Sequence, residues 1–290
     1  MSDRGKPDGT RGSAIRALSL VSPATAATLL SLREVAFRHP GSPAGAPEAV
    51  KSVTLSVRAG EIVGLCGPNA AGKSTLARLA CGLLRADAGS IELGGALLES
   101  LTLRARAKQV AFLGQQSFSE LPFTGREVAL MGRAPHLGLW SLEAKGDRAH
   151  AEAALAELDV LHLADRRVSQ MSGGERQRIF LARAFAQDAA LSVLDEPTVA
   201  LDLAHQVLLV NALRSRARAG KGALLVLHDL SLAAAACDRL ALVVDGRILA
   251  EGTPADVLVP ALLEQAYGTA VDVVRDPATG LPMVTPRVQR

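Results

Sequence analysis

Leu32, Val35 and Phe37 alternate with polar neighbours, and Val53, Leu55 and Val57 do so again, the period-two pattern of half-buried strands. Segment 41–47 between them is rich in Gly and Pro and reads as a turn. Residues 61–66 form a short apolar run that ends in a glycine-rich loop. Beyond it Leu76, Leu79, Ala80 and Leu83 recur at helical spacing.

Segments 91–93 and 110–113 read as strands, 147–158 as an Ala-rich amphipathic helix and 174–187 as another helix. Three short apolar runs follow, 191–194, 223–227 and 240–244, separated by the helical stretches 204–219 and 230–237. Apolar runs without alternation, joined by helices, predict parallel strands buried on both faces with crossover connections. Asp245-Gly246 is a hairpin turn signal, and Thr253-Pro254-Ala255-Asp256 reads as a capped helix start with proline in its first turn. No internal repeat is visible.

Composition narrows the classes. The 290 residues are 49% hydrophobic, enough for one large domain with subdomains or two modest ones. A net charge of +3 without a run of like charges, and only 3% aromatics, speak against nucleic acid as a partner. Cys66, Cys81 and Cys237 are odd in number, widely spaced and set among apolar residues, which predicts reduced structural thiols. The longest uncharged stretch, 17–32, is broken by Pro23 and too short to span a bilayer. Residues 1–28 are expected to be a disordered extension; Asp3 and Asp8 interrupt its resemblance to a signal peptide.

Gly67-Pro68-Asn69-Ala70-Ala71-Gly72-Lys73-Ser74-Thr75 matches G-x-x-x-x-G-K-[ST], placed between a predicted strand and a predicted helix as that motif requires. Glycines let successive N–H groups face phosphates, and the helix start favours negative charge. Lys73 is suited to the β- and γ-phosphates of ATP and the Ser74 hydroxyl to Mg²⁺. The run 191–194 ends in Asp195 and Glu196, at the strand end where an open parallel sheet carries functional groups. Asp195 is a candidate for holding Mg²⁺ through its water shell, and Glu196 a candidate general base.

Met171-Ser172-Gly173-Gly174-Glu175-Arg176-Gln177-Arg178, leading into a helix, resembles the signature of the ABC ATPase family, with Met171 where Leu is usual. A local reading of the same residues, Ser172 as N-cap and Glu175 as the acid of a capping box, coexists with it. The resemblance covers roughly residues 29–268. It implies an α/β fold, a P-loop NTPase (RecA-like) core with an antiparallel β subdomain and an inserted α-helical subdomain. The expected boundaries are 29–270 for the ATPase domain, about 116–175 for the helical subdomain and 271–290 for a C-terminal tail. By the same resemblance Ser172, Gly173 and Gly174 cover the γ-phosphate held by the other subunit of a homodimer. Gln115, or its neighbour Gln116, senses the Mg²⁺ site; Asp202 belongs to the loop that contacts the partner; His228 is the switch histidine. His39, two residues after Phe37, stands where an aromatic ring often stacks on adenine. Ala200 replaces the usual Ser or Gly, so one intersubunit hydrogen bond is expected to be missing.

The segment Phe123-Thr124-Gly125-Arg126-Glu127, followed by Gly132-Arg133-Ala134-Pro135-His136, is similar to that of ATPases that drive importers for heme, ferric siderophores and cobalamin, as is the end of the chain from Glu251 to Tyr267-Gly268. That similarity implies a dimeric integral-membrane permease, an extracytoplasmic binding protein and a location on the cytoplasmic face of the inner membrane. Heme stands first among the cargoes, then siderophore, then cobalamin. The competing expectation is a soluble ABC ATPase with an assembly or regulatory role.

Overall fold

The computed structural model describes residues 26–41, 43, 45, 47–114, 122–137 and 145–287. The expected N-terminal extension, apart from its last residues, and both Gln115 and Gln116 lie outside the described residues.

In chain order the strands are β1 (Thr28–Phe37), β2 (Val50–Arg58), β3 (Ile62–Cys66), β4 (Ala88–Leu93), β5 (Ala96–Leu97), β6 (Val110–Leu113), β7 (Leu191–Asp195), β8 (Gly222–Val226), β9 (Arg239–Val244), β10 (Arg247–Gly252), β11 (Val271–Arg275) and β12 (Pro282–Pro286). The helices are α1 (Lys73–Ala80), α2 (Leu103–Gln109), α3 (Gly125–Met131), α4 (Lys145–Glu157), α5 (Gly173–Ala186), α6 (Leu203–Arg218), α7 (Leu230–Ala236), α8 (Pro254–Val257) and α9 (Pro260–Tyr267).

An antiparallel sheet runs β2-β1-β4-β5, and a second sheet runs β10-β9-β3-β8-β7-β6. In the second, β9, β3, β8, β7 and β6 are parallel and β10 is an antiparallel edge. The Asp245-Gly246 turn joins β9 to β10, with both residues at positive φ (48° and 78°).

The unbroken apolar runs follow from burial on both faces. On β3, Val63 and Leu65 point into a core shared with the antiparallel sheet and α1, while Ile62 and Cys66 point into a larger core under the remaining helices. β8 divides in the same way, Leu224 and Val226 to one side and Ala223 and Leu225 to the other. Each fully buried leucine contributes roughly 1.5–3 kcal/mol. The sheet is therefore sealed between two apolar layers, and its polar work is confined to strand ends.

Parallel register decides which ends coincide. Leu194 pairs with Leu225 and Asp195 with Val226, and the Leu227 N–H donates to the Leu65 carbonyl at 3.1 Å. The residues after β3, β7 and β8 thus emerge side by side at one edge of the sheet.

The predicted helix at 174–187 begins one residue earlier, because Ser172 caps it. Segment 271–287, expected as a tail, is a β11–β12 hairpin with Val271 buried. Its pattern is short and it packs on α9 just before it and on the more distant α7, so periodicity alone does not reveal it.

α3, α4 and α5 pack into a helical unit. Thr124 and Glu127 form a capping box at α3, and Arg126 pairs with Asp165 and Glu152. The 132–136 segment is anchored to the end of α5: Arg133, buried, donates to Asp147 at 3.0 Å and to the Ala186 carbonyl at 2.8 Å, and the His136 ring reaches the Gln187 carbonyl at 2.8 Å. Gln187 in turn donates to the carbonyls of Ala107 and Val110. Removing one partner of a buried ion pair strands the other charge. Asp147→Ala is expected to destabilise the fold by about 3 kcal/mol, read as a lower urea midpoint with an unchanged slope.

Candidate active site

Positive-φ geometry curls the loop after β3. Gly67 takes φ 138° and Gly72 φ 100°; a Cβ on Gly67 would stand 2.0 Å from the Val243 carbonyl oxygen, and one on Gly72 2.2 Å from that of Ala49. Ala70 also adopts φ 61°, while Asn69 and Ala70 are exposed at the loop's outer turn. α1 then starts at Lys73 without a side-chain cap, whereas α2, α3, α5, α6 and α7 are capped by Thr102, Thr124, Ser172, Asp202 and Asp229. No acidic residue sits in the first turn of α1. Its leading N–H groups are left for an external anion.

Lys73 is buried, with Nζ donating to the carbonyls of Gly67 at 2.7 Å and Pro68 at 2.6 Å. Burial draws its amine below the ordinary lysine range, opposed by the nearby Cys66, Glu196 and Asp195. The Ser74 hydroxyl donates to Asp195 Oδ1 at 2.9 Å. Asp195 is 1% exposed and its Oδ2 has no hydrogen-bond partner. Burial raises the Asp195 pKa above the usual carboxylate range, the Ser74 bond opposing it. An orphaned buried carboxylate oxygen beside a hydroxyl suits a hard divalent cation. Among the described residues there is no group of three or more His, Cys, Asp and Glu side chains that could hold a metal ion.

Glu196 follows β7 at φ 54°, a conformation few non-glycine residues adopt, with its N–H donating to the Val226 carbonyl at 3.1 Å. That turn aims its carboxylate at His228, whose Nε2 forms a short contact with Glu196 Oε1. His39 Nε2 lies 3.3 Å from Thr75 Oγ1, and its ring meets Phe37 edge to face at 5.1 Å. Gly67, Gly72, Lys73, Ser74, Thr75, His39, Asp195, Glu196 and His228 therefore come together at one edge.

Ser172, Gly173 and Gly174 do not join them within the chain. Ser172 caps α5 in a capping box with Glu175, accepting from its N–H at 3.3 Å and donating its own N–H to Oε2 at 2.7 Å. The Ser172 N–H, with the Ser172 side chain adding to it, holds the Glu175 carboxylate below its usual pKa. Ser172 and Gly173 are exposed, and Gly173 and Gly174 abut Ala200. Asp202 caps α6, accepting from the His205 N–H at 2.9 Å and lying 2.7 Å from His205 Nδ1. Gln177, quoted within the signature but given no role there, donates to the Pro197 carbonyl at 3.1 Å and ties α5 to the loop after Glu196. Its partner lies twenty residues away and follows a strand end, beyond what local pattern reveals.

The three cysteines are buried and free, and burial pushes Cys66 up to about 12. Among the described residues no helix is long and apolar enough to cross a membrane.

Residues 50–199 match the family described as ABC transporter, just over half of the chain. The chain belongs to the ABC transporter family. It is 42% identical to the hemin import ATP-binding protein HmuV of Nocardia farcinica over 91% of both chains. It is 41% identical to the cobalamin import ATP-binding protein BtuD of Halobacterium salinarum, covering 82% of this chain and 60% of that one. Its fold resembles a solved structure described as a metal-chelate type ABC transporter in an inward-facing conformation, with a TM-score of 0.76, 25% identity and coverage of 90% and 98%.

As an ABC ATPase this protein binds and hydrolyses ATP, and burial of Asp195 in its site disfavours the charged carboxylate. A carboxyl whose folded pKa is raised favours folding when protonated, and that advantage is lost as pH rises above the unfolded value near 3.9. Asp195→Asn is accordingly expected to raise the melting temperature of the nucleotide-free protein at pH 7 while reducing ATP turnover by at least tenfold. Calorimetry and a phosphate-release assay check the two halves separately.

Proposed function

We propose that two copies of this chain, attached to a dimeric membrane permease at the cytoplasmic face of the inner membrane, hydrolyse ATP to drive uptake of a metal chelate. The observation that carries the reading is the convergence of the uncapped α1 N-terminus, Lys73, the Ser74–Asp195 pair and the Glu196–His228 pair at one sheet edge.

In this reading the N–H groups of the curled loop and of α1, with Lys73, hold the β- and γ-phosphates. Ser74 and Asp195 would hold Mg²⁺ with help from Gln115; the ion supplies charge neutralisation on the phosphate oxygens. Glu196 accepts the proton of the attacking water, and His228 fixes the carboxylate's direction and senses the γ-phosphate. His39, held against Thr75 and Phe37, offers an imidazole face to adenine. Ser172 and Gly173, both exposed, and the half-buried Gly174 close on the γ-phosphate bound to the other copy, with Asp202 beside them, so neither copy holds a complete site alone.

Import is supported by the names of both relatives. Hemin and cobalamin are both metal-centred macrocycles, and relatives carrying either name are almost equally similar to this chain. We therefore propose the metal chelate as the cargo class, heme first, delivered by an extracytoplasmic binding protein. No observation here favours a soluble assembly or regulatory role.

Glu196→Gln should keep ATP binding, lower turnover at least a hundredfold and accumulate a nucleotide-bound dimer on size exclusion, since only proton acceptance is removed. Normal hydrolysis by that variant would sink the assignment of the base. Recovery of the tagged chain from detergent-solubilised membranes with a polytopic protein supports the importer; repeated recovery with water-soluble partners alone counts against it.

A further inference from the structure

Glu196 opens the loop between β7 and α6, and Asp202, the cap of α6, closes it. Side chains from outside the loop tie it at two carbonyls: Gln177 of α5 donates to Pro197 at 3.1 Å and Gln206 of α6 to Leu201 at 3.2 Å. Between those ties Ala200 stands exposed at φ 64°, beside Gly173 and Gly174. Val199, Leu203 and Val207 are 55%, 80% and 59% exposed, with Val207 one helical turn beyond Leu203. An apolar ridge therefore continues from the exposed Ser172 and Gly173 through Ala200 onto α6. Its continuity with the proposed dimer face makes a second copy of this chain the fitting occupant.

Asp202 lies on that ridge, between Val199 and Leu203, and one residue holds it twice. Its Oδ1 accepts from the His205 backbone N–H at 2.9 Å and lies 2.7 Å from His205 Nδ1. A carboxylate only accepts, so the ring nitrogen is the donor. The backbone bond suffices as a helix cap. Asp229 caps α7 through the Leu232 N–H at the same 2.9 Å, with leucine where α6 has histidine. The ring bond is thus surplus to the needs of the helix. What it adds is a fixed direction for a carboxylate 67% exposed, set by a ring that is itself only 29% exposed.

We propose that His205 is a positioning residue for the ATPase reaction: its ring holds the Asp202 carboxylate in the direction that meets the other copy. Dimer closure over ATP depends on it, and ATP binding by one copy does not. The inference rests on the reading of Asp202 and of Ser172 to Gly174 as a face that a second copy covers. His205 acts through Asp202 and not on ATP.

His205→Leu removes the ring donor and keeps the backbone cap, whereas His205→Asn places an amide N–H where Nδ1 stood. Both are made in the full-length Glu196→Gln protein. Association with MgATP is measured by sedimentation equilibrium, beside ATP binding at dilute protein and the melting temperature. His205→Leu should raise the dimer dissociation constant about 25-fold, the weight of one ordinary hydrogen bond, about fivefold, in each copy. ATP binding by the single copy should stay within about twofold and the melting temperature unchanged, because the pair is largely exposed. His205→Asn should restore the parental dimer. A role confined to the helix cap lowers the melting temperature while the folded protein associates as the parent does; that outcome, or equal weakening in both variants, overturns the proposal. If Glu196→Gln with His205 intact stays monomeric with MgATP at every concentration, the dimer reading fails and this inference with it. A parental dimer that His205→Leu leaves unchanged rejects this inference alone.

Discussion

Backbone N–H groups at the start of α1 have neither a helical partner nor a side-chain cap, and the surrounding structure is organised around that local deficit. β3 delivers the loop to the sheet edge, positive φ at Gly67 and Gly72 curls it, and the close carbonyls of Val243 and Ala49 leave no room for a side chain at either glycine. The other caps in the fold show that a Thr, Ser or Asp at this point would have satisfied the helix internally. Its absence here leaves those N–H groups as an anion site for phosphate.

Around that deficit the fold tolerates charges and conformations it would otherwise avoid. Asp195 keeps an unpaired carboxylate oxygen under burial that raises its pKa, and Glu196 sits at positive φ. Both sit at the ends of parallel strands whose interiors are sealed on two faces, and that packing over-determines their conformation. The start of α5 is built differently: its capping box pairs the N–H groups of Ser172 and Glu175 while leaving Ser172 and Gly173 exposed for a second molecule.

Segments 132–136 and 254–287 behave alike. Each is a stretch of weak periodicity that anchors one part of the fold to another, through Arg133 with Asp147 and Ala186, or through Val284 with Ser231. Such contacts decide the relative placement of parts that local patterns describe separately.

Periodicity and turn chemistry in the chain itself determined the strands of the parallel sheet, the loop at 67–75, the Asp245-Gly246 turn and the capped starts at Ser172 and Thr253. All of these depend on neighbours within a few residues, where side-chain period, φ preference and capping geometry act. Resemblance to a family extended that reading to His39, Asp202 and His228 as candidates, without saying what each touches. Only the tertiary structure set His39 against Thr75, turned Glu196 toward His228, orphaned one oxygen of Asp195, paired Gln177 with Pro197 and folded 271–287 into a hairpin. Those outcomes follow from parallel register and from packing between residues far apart in sequence, whose closure entropy is repaid only when the whole core forms.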